Sequence, residues 1–218
     1  MTQIQQKIHK FINKNLEIQR AIKNEIISNR KLAIFILKTL ELNSNNIEAT
    51  ISAIRRYKTT PNNQTQNLYK LAHQTIKNTK IITKSDIVTI VIEKDNDASK
   101  ILPQLFSKIN YNKGEVLRIM QAEESIKIVI DKQNLEKIKT IIPKNKIINI
   151  QKDLAEINLI LDKNAVNTPG ILTTIFSELT INKVNLMEAV SCVPEMLLFL
   201  KEKDLLLAYS VLFNLIKN

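Results

Sequence analysis

The chain has 218 residues, 44% of them hydrophobic, and 32 Lys and Arg against 21 Asp and Glu give a formal net charge of +11. One cysteine excludes an internal disulfide framework, one cysteine with two histidines excludes a clustered metal site of the usual spacing, and two glycines are too few for a dinucleotide-binding fingerprint. No apolar run approaches the roughly 20 residues that cross a membrane, and the first residues carry no apolar signal core, so a soluble cytoplasmic protein is expected.

The first third reads as short helices. Ile4, Ile8, Phe11 and Ile12 fall on one face of a first helix, and Leu16, Ile18, Ile22, Ile26 and Ile27 on one side of a second over 16–27. Ser28-Asn29 is a cap signal for a third helix over 30–42, and the polar break 43–46 caps a fourth over 47–57 with Ile47, Ile51 and Ile54 as its buried stripe. Three or four short helices with brief turns suit a helix-turn-helix module. The recognition helix would then be 46–58, with Thr50, Ala53, Arg55, Arg56 and Lys58 facing DNA and Arg30 and Lys31 supporting it. Arginine forks suit phosphates and guanine edges. Two other readings stay open: the cations complement a helix C-terminus, or the module only dimerises or docks on a protein.

Charge supports the first reading. Residues 1–78 hold 13 Lys and Arg against 4 Asp and Glu, whereas 79–218 hold 19 against 17, so nearly all the excess lies in the head. A genome that favours Lys, Ile and Asn would inflate the charge without any partner. The polar stretch 58–67 marks a boundary, followed by a short helix over 68–77.

The rest of the chain is a repeat. Ile101-Leu-Pro-Gln-Leu-Phe106-Ser-Lys-Ile109 lies over Ile171-Leu-Thr-Thr-Ile-Phe176-Ser-Glu-Leu179, and the same offset of seventy carries 126–130 onto 196–200. Each copy reads strand, helix, strand, turn, strand, helix, which gives an α+β fold of ferredoxin-like βαββαβ type. In copy one the later elements are strands over 114–123 and 125–130 and a helix over 132–142. Lys146-Ile-Ile-Asn-Ile-Gln151 can close the first sheet, but copy two has nothing after its last helix. The similar segment Lys80-Ile-Ile-Thr-Lys84 is therefore expected to supply its fourth strand, interlocking the two folds. The divisions expected are a helical domain over 1–58, a linker and short helix over 59–78, a first repeat over 79–153 and a second over 154–218.

The copies differ at one loop. Copy two has Asn167-Thr168-Pro169-Gly170 where copy one has Asp97-Ala-Ser-Lys100. Gly170 leaves room for a ligand, Pro169 fixes φ, and the helix start behind them offers free N–H groups to a carboxylate.

With Asn167-Thr-Pro-Gly-Ile171, the helix Ile175-Phe-Ser-Glu-Leu179 and Asn182-Lys-Val-Asn-Leu-Met-Glu-Ala-Val-Ser191, copy two resembles an ACT domain, the amino-acid-sensing module of aspartokinase tails. The interlocked pair over 79–218 is similar to such a tail, and 1–78 looks like the helical head of small archaeal ACT proteins. The resemblance implies a ligand between Asn167, Thr168, Pro169, Gly170, Ile171 and Leu172 on the loop side and Asn185, Leu186 and Met187 on the strand side, usually at an interface between two ACT domains. Met187 stands where lysine-sensing relatives have an acid, which implies an apolar amino acid. Lys100 would crowd the loop of copy one. A homodimer through the ACT domains is expected.

The function this implies is an amino-acid-sensing regulator whose ligand modulates DNA binding by the head, the alternative being a regulatory subunit docked on a biosynthetic enzyme. No enzyme, cofactor, metal or membrane partner is expected. No Ser-His-Asp spacing occurs, His9 and His73 sit on separate helices, and Cys192 falls in a strand over 185–193 where a small buried residue is the default. An RNA-binding reading of the ferredoxin-like topology is disfavoured, because the central strands offer only Phe199 for base stacking.

Overall fold

Apolar residues recurring every three or four positions build a helical head. In a computed structural model, which describes residues 3–59 and 71–217, it comprises α1 (Gln3–Asn13), α2 (Leu16–Lys23), α3 (Asn29–Thr39) and α4 (Ile47–Thr59). Ser28 caps α3 by accepting from the Lys31 amide at 3.4 Å, as its position before an apolar run predicts. Ile8, Ile12, Ile22, Leu32, Ile36, Ile51 and Ile54 form the core. The second helix stops at Lys23, four residues short of the predicted end, and Glu25 takes a left-handed φ of 58°. The chain divides into two compact units between Thr65 and Gln66.

The second unit is made by two long strands. After α5 (residues 71–76), β1 runs unbroken over Lys80–Glu93 and β4 over Ile147–Ile160. Between and after them come α6 (Ala98–Lys108), β2 (Leu117–Gln121), β3 (Ser125–Asp131), α7 (Leu135–Lys139), α8 (Ile171–Ile181), β5 (Leu186–Cys192), β6 (Glu195–Lys201) and α9 (Leu205–Lys217). The six strands form one antiparallel sheet in the order β2-β3-β1-β4-β6-β5.

Each half of that sheet is a βαββαβ unit: the first is built from the continuous segment 87–151, whereas the second takes its fourth strand from the opening of β1. Residues Ile87–Glu93 of β1 pair with β3, and Ile90 and Val91 also pair with Ile150 and Asn149 of β4. The opening Lys80–Lys84 of β1 instead pairs with Glu156–Ile160, beside β6. The segment 80–84 is thus the fourth strand of the second half, as the repeat predicts, but it is continuous with the first strand of copy one rather than a separate element. The junction is marked in both strands by an aspartate at positive φ, Asp86 at 53° and Asp153 at 56°, where the β1–β4 register slips. Aspartate is among the few side chains that tolerate this conformation.

The sheet folds back on itself across this junction. Val88, Ile90, Ile126, Ile128 and Ile130 pack under α6 and α7, and Ile157, Leu159, Met196, Leu198 and Leu200 under α8 and α9. The alternate residues Ile87, Val116, Val129, Leu154, Leu197 and Phe199, drawn from both halves, form one further cluster. Arg118 of β2 reaches Glu156 of β4 at 3.2 Å. These strands are three spacings apart in sheet order, roughly 14 Å if the sheet were flat. The two halves therefore face each other, with their helices outside.

The interior between them is partly polar. Glu156 is 1% exposed, and its second oxygen, the Arg118 Nε, Thr89 Oγ1 and Asn158 Oδ1 are buried without hydrogen-bond partners. Lys127 of β3 and Glu188 of β5 form a second ion pair across the same gap. Removing one partner of a buried pair strands the other charge. Arg118→Ala is expected to cost about 2 kcal/mol, reduced from the fully buried case because Arg118 is a third exposed, and urea unfolding measures it. At the junction, Asp153→Asn should be near neutral whereas Asp153→Val should cost about 1–2 kcal/mol, because valine resists a left-handed φ. The Lys132 ion pairs to Asp86 and Asp153, at 3.7 and 3.3 Å, are exposed and contribute little to that difference.

Candidate functional site

The strand-to-helix loops of the two repeats diverge in length. β1 ends at Glu93 and α6 begins at Ala98, whereas β4 ends at Ile160 and α8 begins only at Ile171. The extra chain in copy two forms a 3-10 turn, Lys163–Asn167, and then the Thr168-Pro169-Gly170 corner. Gly170 has φ +93°, a conformation that costs any side-chain-bearing residue, and a Cβ there would meet only the Ala72 Cβ of α5 at 3.8 Å. Its carbonyl accepts from the Thr174 amide and hydroxyl, which pins the first turn of α8. The Thr168 hydroxyl donates back to the Asn164 carbonyl at 2.8 Å.

These restraints hold open a cavity of about 380 Å³ beside the start of α8. Its walls are largely apolar, from Leu161, Val166, Ile171, Leu172, Val193 and Met196, with Thr168, Thr173 and Ser191 as the polar members. No side chain caps α8. The first N–H groups of a helix lack partners inside it, so this end offers donors and a partial positive charge to an anion.

Copy one fills the equivalent position with its own acids. Asp95 accepts from the Asp97 and Ala98 amides at the start of α6, and Lys146 pairs with that carboxylate. The Lys100 side chain is 78% exposed and pairs with Asp97 at 3.2 Å, so Lys100 does not crowd the loop as expected. Asp95 is the group that occupies it.

The expected site residues separate into two places. Thr168, Pro169, Gly170, Ile171 and Leu172 line the loop cavity, and Asn167 lies exposed on the turn before them. Asn185, Leu186 and Met187 line a different cavity, of about 530 Å³, with Phe176, Leu179 and Thr180. It lies toward the far end of α8, whose 11 residues span roughly 16 Å. Met187 also packs against the cluster between the sheet halves, so it carries no information about the loop cavity. Ser191, Val193 and Met196, from the β5–β6 hairpin, take the place predicted for the strand side. Alternation along β5 shows which residues share a face, but not that the hairpin end meets the loop.

The DNA-facing set is corrected in part. Thr50 is fully buried with its hydroxyl donating to the Asn46 carbonyl, and Ala53 is buried under α1, where its carbonyl meets His9 Nε2 at 3.0 Å. Neither can touch DNA. Arg55, Arg56, Lys31 and Arg30 are exposed, Arg30 lying 3.9 Å from Glu48; the Lys58 side chain is outside the described residues. α3 also exposes Ile34 and Phe35, each 52%, between Lys31 and Lys38. Cys192 is exposed rather than buried, at the end of β5. Among the described residues no group of His, Cys, Asp or Glu could hold a metal ion, and no helix is long and apolar enough to cross a membrane.

The sequence matches no protein-family model and no curated protein. Solved structures do resemble it in fold. Aspartate kinase from Clostridium acetobutylicum, described as an allosteric enzyme, superposes with a TM-score of 0.50 and 20% identity over 62% of this chain and 34% of that one. The regulatory subunit of aspartate kinase from Thermus flavus gives 0.51 and 11% over 62% of this chain and 95% of that one. The chain thus spans about a third of the Clostridium enzyme and nearly all of the Thermus subunit.

Gly170→Ala tests the corner directly. A Cβ would make only ordinary contact, so the backbone conformation alone should lower stability by about 1–2 kcal/mol, read as a lower melting midpoint.

Proposed function

We propose that this protein is an amino-acid-sensing regulator, with its effector bound in the loop cavity of the second repeat and the basic head as its output. The observation that carries this is the contrast between two copies of one loop. Asp95 closes the first, whereas the second is longer, uncapped and open to a cavity large enough for one amino acid. The effector's carboxylate would meet the amides at the start of α8, and Leu172, Val166 and Val193 would contact an apolar side chain. The shared fold with an aspartate kinase regulatory subunit is consistent with such a role. DNA binding by Arg30, Lys31, Arg55, Arg56 and Lys58 is part of this proposal, and so are a cytoplasmic location and a dimer.

The second reading is a regulatory subunit whose head docks on an enzyme. Ile34 and Phe35 favour it, because exposed apolar side chains set between lysines suit a protein partner better than a phosphate backbone.

A thermal-shift panel of the twenty amino acids tests the sensor. An effector at a hundred times its Kd stabilises by about 2.7 kcal/mol, a rise of several degrees, and Gly170→Lys should abolish it. No response to any amino acid would reject the sensing role. The output separates by salt: DNA retardation by the full chain should weaken steeply between 50 and 200 mM salt. It should vanish in Arg55→Ala/Arg56→Ala. No retardation at low salt would leave the docking reading.

A further inference from the structure

We propose that the outer face of α9 is where two copies of this chain meet, with the two α9 helices antiparallel about an axis between Tyr209 and Ser210. This gives a specific surface to the dimer expected above and rests on that expectation alone, not on ligand or DNA binding.

The repeat supplies an internal control. α7 and α9 occupy equivalent places, and α7 presents Glu136, Lys137 and Lys139 at the positions where α9 has Leu206, Leu207 and Tyr209. Glu136 and Lys137 are exposed, as charged residues on a solvent-facing helix should be. Their counterparts Leu206 and Leu207 are 82% and 48% exposed, with Tyr209 at 38% and Phe213 at 42%. The inward side of α9 is already used, since Ala208, Val211, Leu212, Leu215 and Ile216 are buried under the second half of the sheet. Leu206, Tyr209, Ser210 and Phe213 form a separate stripe at helical spacing, and Tyr209 stacks on Phe213 at 5.9 Å.

The chemistry of the stripe selects a second copy. A two-fold axis sets each face against itself, so a face with an unpaired charge at its centre would meet a like charge. This stripe carries none between Leu206 and Phe213. The axis at 209/210 sets Leu206 against the partner's Phe213, and the Tyr209 ring against the partner's small Ser210. It also sets Lys217, at the end of the stripe, against the partner's Glu202. The self-pairing is thus complementary in size at its centre and in charge at its ends. An acidic or basic partner surface would find nothing to pair with between those ends.

Sedimentation equilibrium of the full chain over a range of concentrations tests this. The wild type should form a dimer. Leu206→Glu/Phe213→Glu should raise its Kd at least about a hundredfold while the far-ultraviolet spectrum stays unchanged, as hot-spot apolar contacts imply. Lys217→Glu and Glu202→Lys should each weaken the dimer by about tenfold, and the two together should restore it. A monomer at every concentration, a dimer indifferent to the double glutamate variant, or no restoration by the charge exchange would each overturn the proposal. The monomeric variant's thermal response to the amino-acid panel shows separately whether the sensing reading stands.

Discussion

Two strands that each belong to both halves of a sheet are the constraint on which the rest of the second unit depends. Because β1 and β4 pair along their length, the second repeat cannot form its four-stranded sheet without Lys80–Lys84 of the first. The junction must also let both strands turn, and the left-handed aspartates Asp86 and Asp153 do this at matching points. Once the strands bend, the second faces of the two halves come together. Ion pairs such as Arg118–Glu156 can then connect strands far apart in sheet order. The depth of Glu156, the polar interior and the outward placement of all the long helices follow from that bend.

The same shared frame allows the repeats to diverge without losing their mutual support. The first strand of copy two follows that of copy one by 67 positions, from Asp86 to Asp153, whereas the aligned helical segments Ile101–Ile109 and Ile171–Leu179 are 70 apart. The difference is spent in the loop before α8, where the 3-10 turn opens a cavity that Asp95 closes in copy one. Divergence also reaches the helix after the third strand, charged in copy one and apolar in copy two. One repeat thus keeps a closed loop and a charged outer helix, and the other carries the open loop and the apolar face.

Much of this was legible in the residues. The offset between the Ile101 and Ile171 segments located both helices. The likeness of 80–84 to 146–151 identified the segment that completes the second half. What stayed hidden depended on three-dimensional neighbours. An aspartate inside a strand pattern reads as a break, yet β1 runs unbroken through Asp86. Thr50 and Ala53 look like surface residues of a recognition helix, but both are buried and the Ala53 carbonyl meets His9 of α1. Met187 and Asn185 are close in sequence to a plausible ligand wall, but α8 separates them from the loop by its own length. Helical periodicity defines a face without saying what the far end of a hairpin will touch.

The place of Lys80–Lys84 in the second half also sets a timetable for synthesis. Lys80 pairs with Ile160, so the first strand end to leave the ribosome waits for about eighty further residues before its partner exists. At roughly 5–20 residues per second that interval is several seconds. Throughout it, the apolar Ile81 and Ile82 have no partner strand, while the first half can already close around Ile87–Glu93 and β3. The nascent chain therefore passes through a state with one half assembled and a β-strand edge exposed. The two copies become a folded whole only when the second is nearly finished.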